Sequence, residues 1–304
     1  MGSLGIVLPV FGLIAVGYLA RRLNVVGERV GDGLSEFVFT VAVPCLIVRT
    51  LARADIPPVQ PWGYWIAYFA GAGLAWALGT LATRRLFGRD ATVGVVAGFA
   101  SAQANTILVG VPLILNLYGD EGAVPLFLLI AVHLPVMMVV ATLLAEGRSA
   151  SPARLVRRLL ANPIVLAILA AVAMRPVVGF VPDPVWRTLD LLSGAAVPCA
   201  LFALGTALDR YGVREGWALP LVISGLKLVV HPLAVFVLAR HVFAMPPAWS
   251  GVAVLFAACP CGVNAYLLAE HYRQGVGLAS SAVALSTALS LATTLLWLHV
   301  LGLG

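Results

Sequence analysis

The chain has 304 residues, of which 61% are hydrophobic and only 11% are charged. A soluble domain carries roughly 25% charged residues, and surface-to-volume scaling does not let a soluble core of this length hide so much apolar surface. The formal net charge of +6 does not indicate nucleic acid binding, because the arginines lie in short segments between apolar runs. The composition predicts an all-α membrane protein.

Ten apolar runs are long enough to cross a bilayer, which takes about 20 mostly apolar residues. These runs, called spans one to ten, lie at residues 4–20, 34–52, 62–83, 92–118, 123–145, 158–180, 186–208, 217–242, 248–271 and 277–302. Arg21 and Arg22 follow the first run, which favours a membrane helix over a cleaved signal peptide. A short linker at 148–157 divides the chain into five-span halves at 1–147 and 158–304.

The arginines are distributed unevenly between the two sides of the predicted membrane. Segments that follow odd-numbered spans hold thirteen arginines, and those on the other side hold five. Positively charged loops stay in the cytoplasm, so the odd-numbered loops are predicted to be cytoplasmic. Both termini then lie outside the cell or in the periplasm.

A tetrapeptide, AlaValProCys, occurs at residues 42–45 and again at 196–199, an offset of 154 residues. Each copy lies in the second span of its half. Five is an odd number, so two related five-span halves insert with opposite orientation, and inverted repeats are typical of secondary transporters. Such folds carry interrupted helices at corresponding positions.

Spans four and nine contain the residues expected to interrupt them. Gly110 and Pro112 are predicted to break span four, because proline lacks an N–H and glycine weakens a helix. Pro260 and Gly262 are predicted to break span nine. The opened helices are predicted to cross near Asn105 and Pro260, close to the midplane, where they aim backbone N–H groups at one point, which favours an anion.

Polar residues beside these breaks form the predicted substrate site. Asn105, Thr106 and Asn264, with backbone N–H groups near Gly262, are expected to bind a carboxylate. The set is completed by Gln103, Pro260 and Cys261. The alternative is that the asparagine side chains only bond freed backbone carbonyls.

Lys227 is the only lysine and lies about 15 Å into span eight at about 1.5 Å per residue. A charge at that depth indicates a functional site, and we expect it to balance the anionic substrate or to link transport to protons. A structural role, bonding the opened backbone, is the alternative. His133 and His231 are interpreted as isolated packing residues. No metal or cofactor motif occurs, and the four cysteines are interpreted as buried apolar residues.

Several motifs resemble the auxin efflux carrier family, the plant PIN carriers and their bacterial relatives within the bile-acid-symporter-like superfamily. AsnThrIleLeuValGlyValPro at 105–112, followed by LeuTyrGly at 117–119, is similar to the family's span-four pattern. ProCysGlyValAsn at 260–264 is similar to its span-nine pattern. The chain departs from plant members at Ala104, where they carry proline, and in lacking an acid in span three.

The resemblance implies a fold of ten transmembrane helices in two inverted five-helix repeats, with broken, crossing helices four and nine. It also implies a scaffold (spans one, two, six and seven), a transport unit that moves like an elevator, and a homodimer through the scaffold. Family substrates are organic acids, so a small carboxylate is the expected ligand, with membrane lipid the other partner. The predicted location is a bacterial inner membrane.

The predicted function is a secondary transporter or uniporter for a small organic anion, with no cofactor. A sodium-coupled symporter of the bile-acid type is an alternative, as are a membrane receptor or channel and an intramembrane enzyme. An enzyme is disfavoured because the sequence has no HExxH motif and no pair of catalytic carboxylates at depth. The sequence also has no P-loop for ATP.

Overall fold

The computed structural model describes residues 3–54, 62–147, 157, 160–211 and 216–303. Within these ranges the regular elements are helices, and two residues between helices form one isolated antiparallel bridge. The longer helices are α1 (Ser3–Arg22), α2 (Glu28–Arg53), α3 (Trp62–Arg85), α4 (Ala91–Ala102), α5 (Thr106–Glu146), α6 (Pro163–Phe180), α7 (Asp183–Leu208), α8 (Ala218–Val242), α9 (Pro247–Ala258), α10 (Asn264–Tyr272) and α11 (Val276–Val300).

Seven helices in the described ranges are long and apolar enough to cross a membrane: α2, α3, α5, α6, α7, α8 and α11. Helices α4 and α9 are equally apolar but have only 12 residues each. At about 1.5 Å per residue, a helix of that length covers little more than half of a bilayer core of about 30 Å. The prediction of an all-helical, multi-pass membrane protein is confirmed.

Helix α5 is bent at Gly119, where the backbone has φ 53° and ψ −136°. The helix has 41 residues, and a straight helix of that length would be about twice as long as the roughly 30 Å bilayer core. Glycine adopts a positive φ without the steric cost that a Cβ brings. Gly119 therefore divides α5 into two helical segments, which correspond to the end of span four and to span five.

The first helix break lies at residues 103–105, and not at Gly110 and Pro112 where the sequence predicts it. Gly110 has helical backbone angles, φ −64° and ψ −48°. A wider π-helical turn, Thr106–Gly110, joins directly to the next helical segment. Pro112 lies in the first turn of that segment, where a missing N–H disrupts little.

The closest helix packing divides the molecule into two groups. Helices α1, α2, α6 and α7 form one group, in which α1 packs along α7 and α2 along α6. Helices α3, α4, α8, α9, α10 and α11 form the other, in which α3 packs on α4 and α8 on α9. Helix α5 contacts both groups, and its first turn packs on α7. The break after α4 at residues 103–105 and the break after α9 at residues 259–263, called the first and the second break, therefore lie next to the first group.

Candidate functional site

The two helix breaks pair with each other through backbone hydrogen bonds. Ala104 and Cys261 form the isolated antiparallel bridge. The Asn105 N–H donates to the Pro260 carbonyl at 2.8 Å, and the Gly262 N–H donates to the Gln103 carbonyl at 3.0 Å. Backbone groups in a bilayer must find partners inside the protein, and here each break satisfies groups that the other has released.

Two side chains replace the hydrogen bond that the second break removes. In an uninterrupted helix, the Cys261 N–H would donate to the Ala257 carbonyl. Instead, Cys261 N–H donates to Ser286 Oγ at 3.0 Å, and the Lys227 ammonium donates to the Ala257 carbonyl. Helix C-termini carry partial negative charge, so Lys227 stabilises the end of α9 both as a donor and as a cation.

Gly262 is required by the close approach of the two breaks. A Cβ built on Gly262 would overlap the Gln103 side-chain oxygen and would lie 3.0 Å from the Ala104 carbonyl oxygen. The Gln103 side chain therefore lies directly over the Gly262 backbone. No larger residue fits at this position without moving the glutamine.

A cavity of about 710 Å³ reaches this region from one side of the protein. It is lined by five of the predicted substrate-binding residues, Gln103, Asn105, Thr106, Gly262 and Asn264. The other two, Pro260 and Cys261, are buried in the second break behind the cavity wall. Lys227 does not line the cavity and is fully buried. The structure thus brings the predicted residues together and holds Lys227 behind them.

The cavity contains amide groups without partners. Gln103 is 2% exposed and Asn105 is 5% exposed. Gln103 Oε1 and Asn105 Nδ2 have no hydrogen-bond partner among the described residues. An unmet buried polar group costs about 1–3 kcal/mol, and rotating an amide exchanges its donor for its acceptor. These amides can therefore bind a polar ligand at little further desolvation cost.

Two helices begin at the cavity wall. Thr106 is the first residue of α5 and Asn264 the first of α10, and both line the cavity. The first N–H groups of a helix lack intrahelical partners and carry partial positive charge. The side of the breaks that faces the cavity therefore favours an anion.

Charged and aromatic residues lie at the outer part of the cavity, where the sequence analysis had placed no site. Arg210 forms ion pairs with Asp32 and with Glu28, the latter at 3.8 Å. The Tyr266 hydroxyl donates to Glu270 Oε1 at 2.5 Å, and the Tyr211 and Tyr266 rings pack edge to face. These residues join segments far apart in sequence, so no local motif marks them.

Burial and charge set the ionisation of two residues in this outer part. Burial raises the pKa of Tyr211 to about 12. Burial lowers the pKa of Arg210, but its hydrogen bond to Asp32 and the nearby charges raise it further, and the result is above the usual value. Tyr211 is therefore neutral and Arg210 positive at physiological pH.

His133 and His231 are not isolated, which corrects their interpretation from sequence. The Tyr68 hydroxyl lies 2.9 Å from His133 Nδ1, and Lys227 Nζ lies 3.5 Å from His231 Nδ1. The Tyr68 ring also packs on His231. The sequence signal was present in part, because Lys227 and His231 are four residues apart and share one face of α8.

The described residues hold no group of three or more His, Cys, Asp or Glu side chains placed to bind a metal ion. All four cysteines are free thiols; Cys259 and Cys261 are buried at the second break and Cys45 and Cys199 are half-buried.

Comparison with known proteins identifies the family. The model of the membrane transport protein family matches residues 3–154 and 152–298. A protein of Rhizobium meliloti (strain 1021) named "Putative malonate transporter" is 32% identical, over 95% of this chain and 92% of its own length. A protein of Methanothermobacter thermautotrophicus named "Uncharacterized transporter" is 30% identical, over 99% of both chains. The chain therefore belongs to the membrane transport protein family, the family of the auxin efflux carriers, and is a transporter rather than an enzyme.

Proposed function

We propose that the protein is a secondary transporter for a small organic anion that carries a carboxylate. The observation that carries this proposal is that Gln103 Oε1 and Asn105 Nδ2 are buried without a hydrogen-bond partner among the described residues, at a cavity where two helices begin. Amide donors and helix N-termini bind a carboxylate without burying a full opposite charge beside it. The name of the relative from Rhizobium meliloti supports a short carboxylic acid such as malonate as the first candidate.

The substrate contacts are proposed to come from both breaks. The Asn105, Thr106 and Asn264 side chains hold the carboxylate, together with Gln103. The predicted contribution of the Gly262 N–H is not available, because that group donates to the Gln103 carbonyl. Pro260 and Cys261 act through the backbone, because Pro260 accepts from Asn105 N–H and Cys261 forms the bridge with Ala104. Lys227 is proposed to balance the anion's charge from behind the second break, where its ammonium bonds the Ala257 carbonyl.

The proposed architecture is ten membrane crossings in two inverted repeats, residues 1–147 and 158–304. The two family matches support it, since they meet near the predicted linker, as does the pairing of one break from each half. Most of the linker at 148–157 lies outside the described residues. The two packing groups support an elevator motion, in which the group that contains α3, α4 and α8 to α11 moves against a homodimeric, lipid-embedded scaffold of α1, α2, α6 and α7.

The proposed orientation in a bacterial inner membrane makes the described conformation inward-open. The outer part of the cavity is formed by Glu28, Arg210 and Glu270. Glu28 and Arg210 belong to the segments after spans one and seven, and Glu270 lies at the end of span nine; the arginine distribution assigns this side to the cytoplasm. A substrate at Asn105 would then exchange with the cytoplasm in this state.

A sodium-coupled symporter remains the second candidate, because carbonyls and amides at a helix crossing also bind sodium. The acids around the cavity are Glu28, Asp32 and Glu270. Two of them pair with Arg210, and Glu270 accepts from Tyr266. This pairing favours a transporter without a strict sodium requirement.

The decisive experiment measures exchange of labelled for unlabelled malonate, and then of other short carboxylates, in proteoliposomes. Binding is followed in parallel by thermal shift, since a ligand that binds only the native state raises apparent stability. We expect Asn105→Ala and Asn264→Ala to lose binding and exchange but to stay folded. Asn116→Ala is the matched control, because Asn116 is exposed on the same helix as the first break. Normal exchange by both cavity variants would place the substrate elsewhere.

A further inference from the structure

Four polar side chains meet in the buried interior between α3, α5 and α8. They are Tyr68, His133, Lys227 and His231, and each has 0% exposure. Hydrogen-bond contacts join Tyr68 to His133 at 2.9 Å and Lys227 to His231 at 3.5 Å, and the Tyr68 and His231 rings lie 5.4 Å apart. We call these four residues the lysine–histidine cluster.

The cluster contains two histidine ring nitrogens that are free to bind or release a proton. His133 Nε2 and His231 Nε2 are both buried without a partner among the described residues. The surrounding side chains are Phe256 from α9 and the thiols of Cys259 and Cys261. Tyr64 is the other titratable group of α3 nearby. No carboxylate of the described chain bonds any member, so the Lys227 charge has no fixed anionic partner.

The cluster extends toward the side of the protein opposite to the substrate cavity. Tyr64 lies one turn before Tyr68 on α3, and its hydroxyl donates to the Pro125 carbonyl at 2.8 Å. The Tyr64 ring packs on Trp249. Pro125 and Trp249 line a second cavity of about 540 Å³, which also holds Asp120 and Glu121. Polar groups thus run from the second break toward the other surface.

We infer that the lysine–histidine cluster is a proton-binding site that couples anion movement to proton movement. This inference rests on the proposed anion transport. In the coupled step, the Lys227 ammonium gives a proton to His231 Nδ1 and becomes a neutral amine, whose lone pair is the electron pair of the broken N–H bond. His231 at the same time passes the proton on its Nε2 to water and stays neutral. The reverse sequence, on the other side of the membrane, restores the ammonium. No covalent bond to the substrate forms.

Substrate and proton are linked through charge at the second break. The Lys227 ammonium bonds the carbonyl of Ala257, the residue before the last residue of α9, Ala258. An anion bound between the breaks stabilises that ammonium, because the interaction between charges is strong where water is excluded. Loss of the anion leaves an uncompensated buried cation, which favours release of the proton. One proton then accompanies one negative charge.

The test separates exchange from net transport. Proteoliposomes that contain a pH-sensitive dye are given malonate, and proton movement is recorded alongside labelled uptake and alongside malonate exchange at equal pH. We expect His231→Gln to retain exchange and to lose proton movement and uptake driven by a pH gradient, because the proton acceptor of Lys227 is removed. His133→Gln, which removes the partner of Tyr68 but not that acceptor, should retain exchange and reduce proton movement. His299→Gln is the matched control, because His299 is an exposed histidine near the end of α11.

Tyr68→Phe is the milder variant if the histidine variants do not fold, since it removes only the hydroxyl that bonds His133. It is expected to reduce coupling and to leave exchange intact. The inference is overturned if the wild type takes up malonate without moving protons, or if folded cluster variants move protons as the wild type does. A wild type that exchanges no carboxylate contradicts the anion-transport proposal itself, because exchange at equal pH needs no net proton flux.

Discussion

Gly262 and Gln103 show how single residues set the geometry of the site. The glutamine side chain lies over the glycine backbone, and one more carbon atom at Gly262 would displace it. The sequence identified both positions from their residue types. It did not identify their contact, because they are far apart in the chain and neither belongs to a shared local pattern.

Gly262→Ala is expected to reduce malonate binding strongly while the protein stays folded, because the new methyl group forces Gln103 out of the cavity wall. Thermal-shift titration in detergent measures the loss. Gly225→Ala is the control, since a Cβ there meets nothing within 4 Å. Unchanged affinity in Gly262→Ala would show that Gln103 does not contact the substrate.

Lys227 could be found from sequence, because a charge inside an apolar span is costly. Its partner could not be found, because the Ala257 carbonyl is a backbone group with no sequence signal. The same holds for Ser286, whose Oγ accepts from the Cys261 N–H. The contact of Lys227 with the Ala257 carbonyl supports a structural role for this residue, in addition to its proposed electrostatic role.

Lys227→Ala is expected to abolish uptake, and Lys227→Arg is expected not to restore it fully, because guanidinium is larger and holds its proton more firmly. Uptake in proteoliposomes measures both. Ser286→Ala separates the two roles, since it disturbs the break without removing a charge. It should lower the unfolding free energy by about 1–3 kcal/mol through the unmet Cys261 N–H but leave the pH dependence of transport unchanged.

At the scale of elements, the long helices follow from hydrophobic length, and seven helices of the described residues are long and apolar enough to cross a membrane. Span eight at 217–242, for example, corresponds to α8, Ala218–Val242. Gly110 and Pro112 were predicted to break span four but lie in helical segments, whereas the break at 103–105 agrees with the predicted crossing near Asn105 and Pro260. Pro112 lies in the first turn of the segment that follows a π-helical turn, so the helix continues through it. The helix is interrupted before this point, where Ala104 pairs with Cys261. That pairing depends on tertiary contact, which residue propensities do not encode.

Gly119→Ala is expected to destabilise the protein by about 1 kcal/mol or more, since alanine is strained at a positive φ. Malonate affinity should not change, because Gly119 does not line the substrate cavity. Thermal unfolding in detergent measures the first effect and titration the second. Gly12→Ala, in open space on α1, controls for the added methyl group. A rise in stability would contradict the described bend.

For the whole molecule, membrane orientation is the prediction that the arginine distribution makes most directly. In a variant without native cysteines, a cysteine at Ser149 should react with an impermeant reagent only from the cytoplasm. Ser149 lies outside the described residues, whereas Gly179 is exposed at the end of α6. Gly179→Cys should react only from outside the cell. The opposite labelling pattern would invert the assignment of the substrate cavity to the cytoplasm.

The sodium dependence of transport is also a property of the whole molecule. The acids that line the substrate cavity are engaged by Arg210 and Tyr266. We therefore expect malonate uptake to continue when sodium is replaced by choline. Uptake that stops in choline and returns with sodium would support the sodium-coupled alternative instead.

The backbone exchange between the two breaks has a consequence for how the protein is made. Asn105 N–H and the Gln103 carbonyl find their partners in residues 260–262, which the ribosome delivers more than 150 residues later. Until then, these groups face a bilayer that cannot satisfy them. The N-terminal half alone should therefore be short-lived and sensitive to membrane proteases, and co-expression of the C-terminal half as a separate chain should protect it.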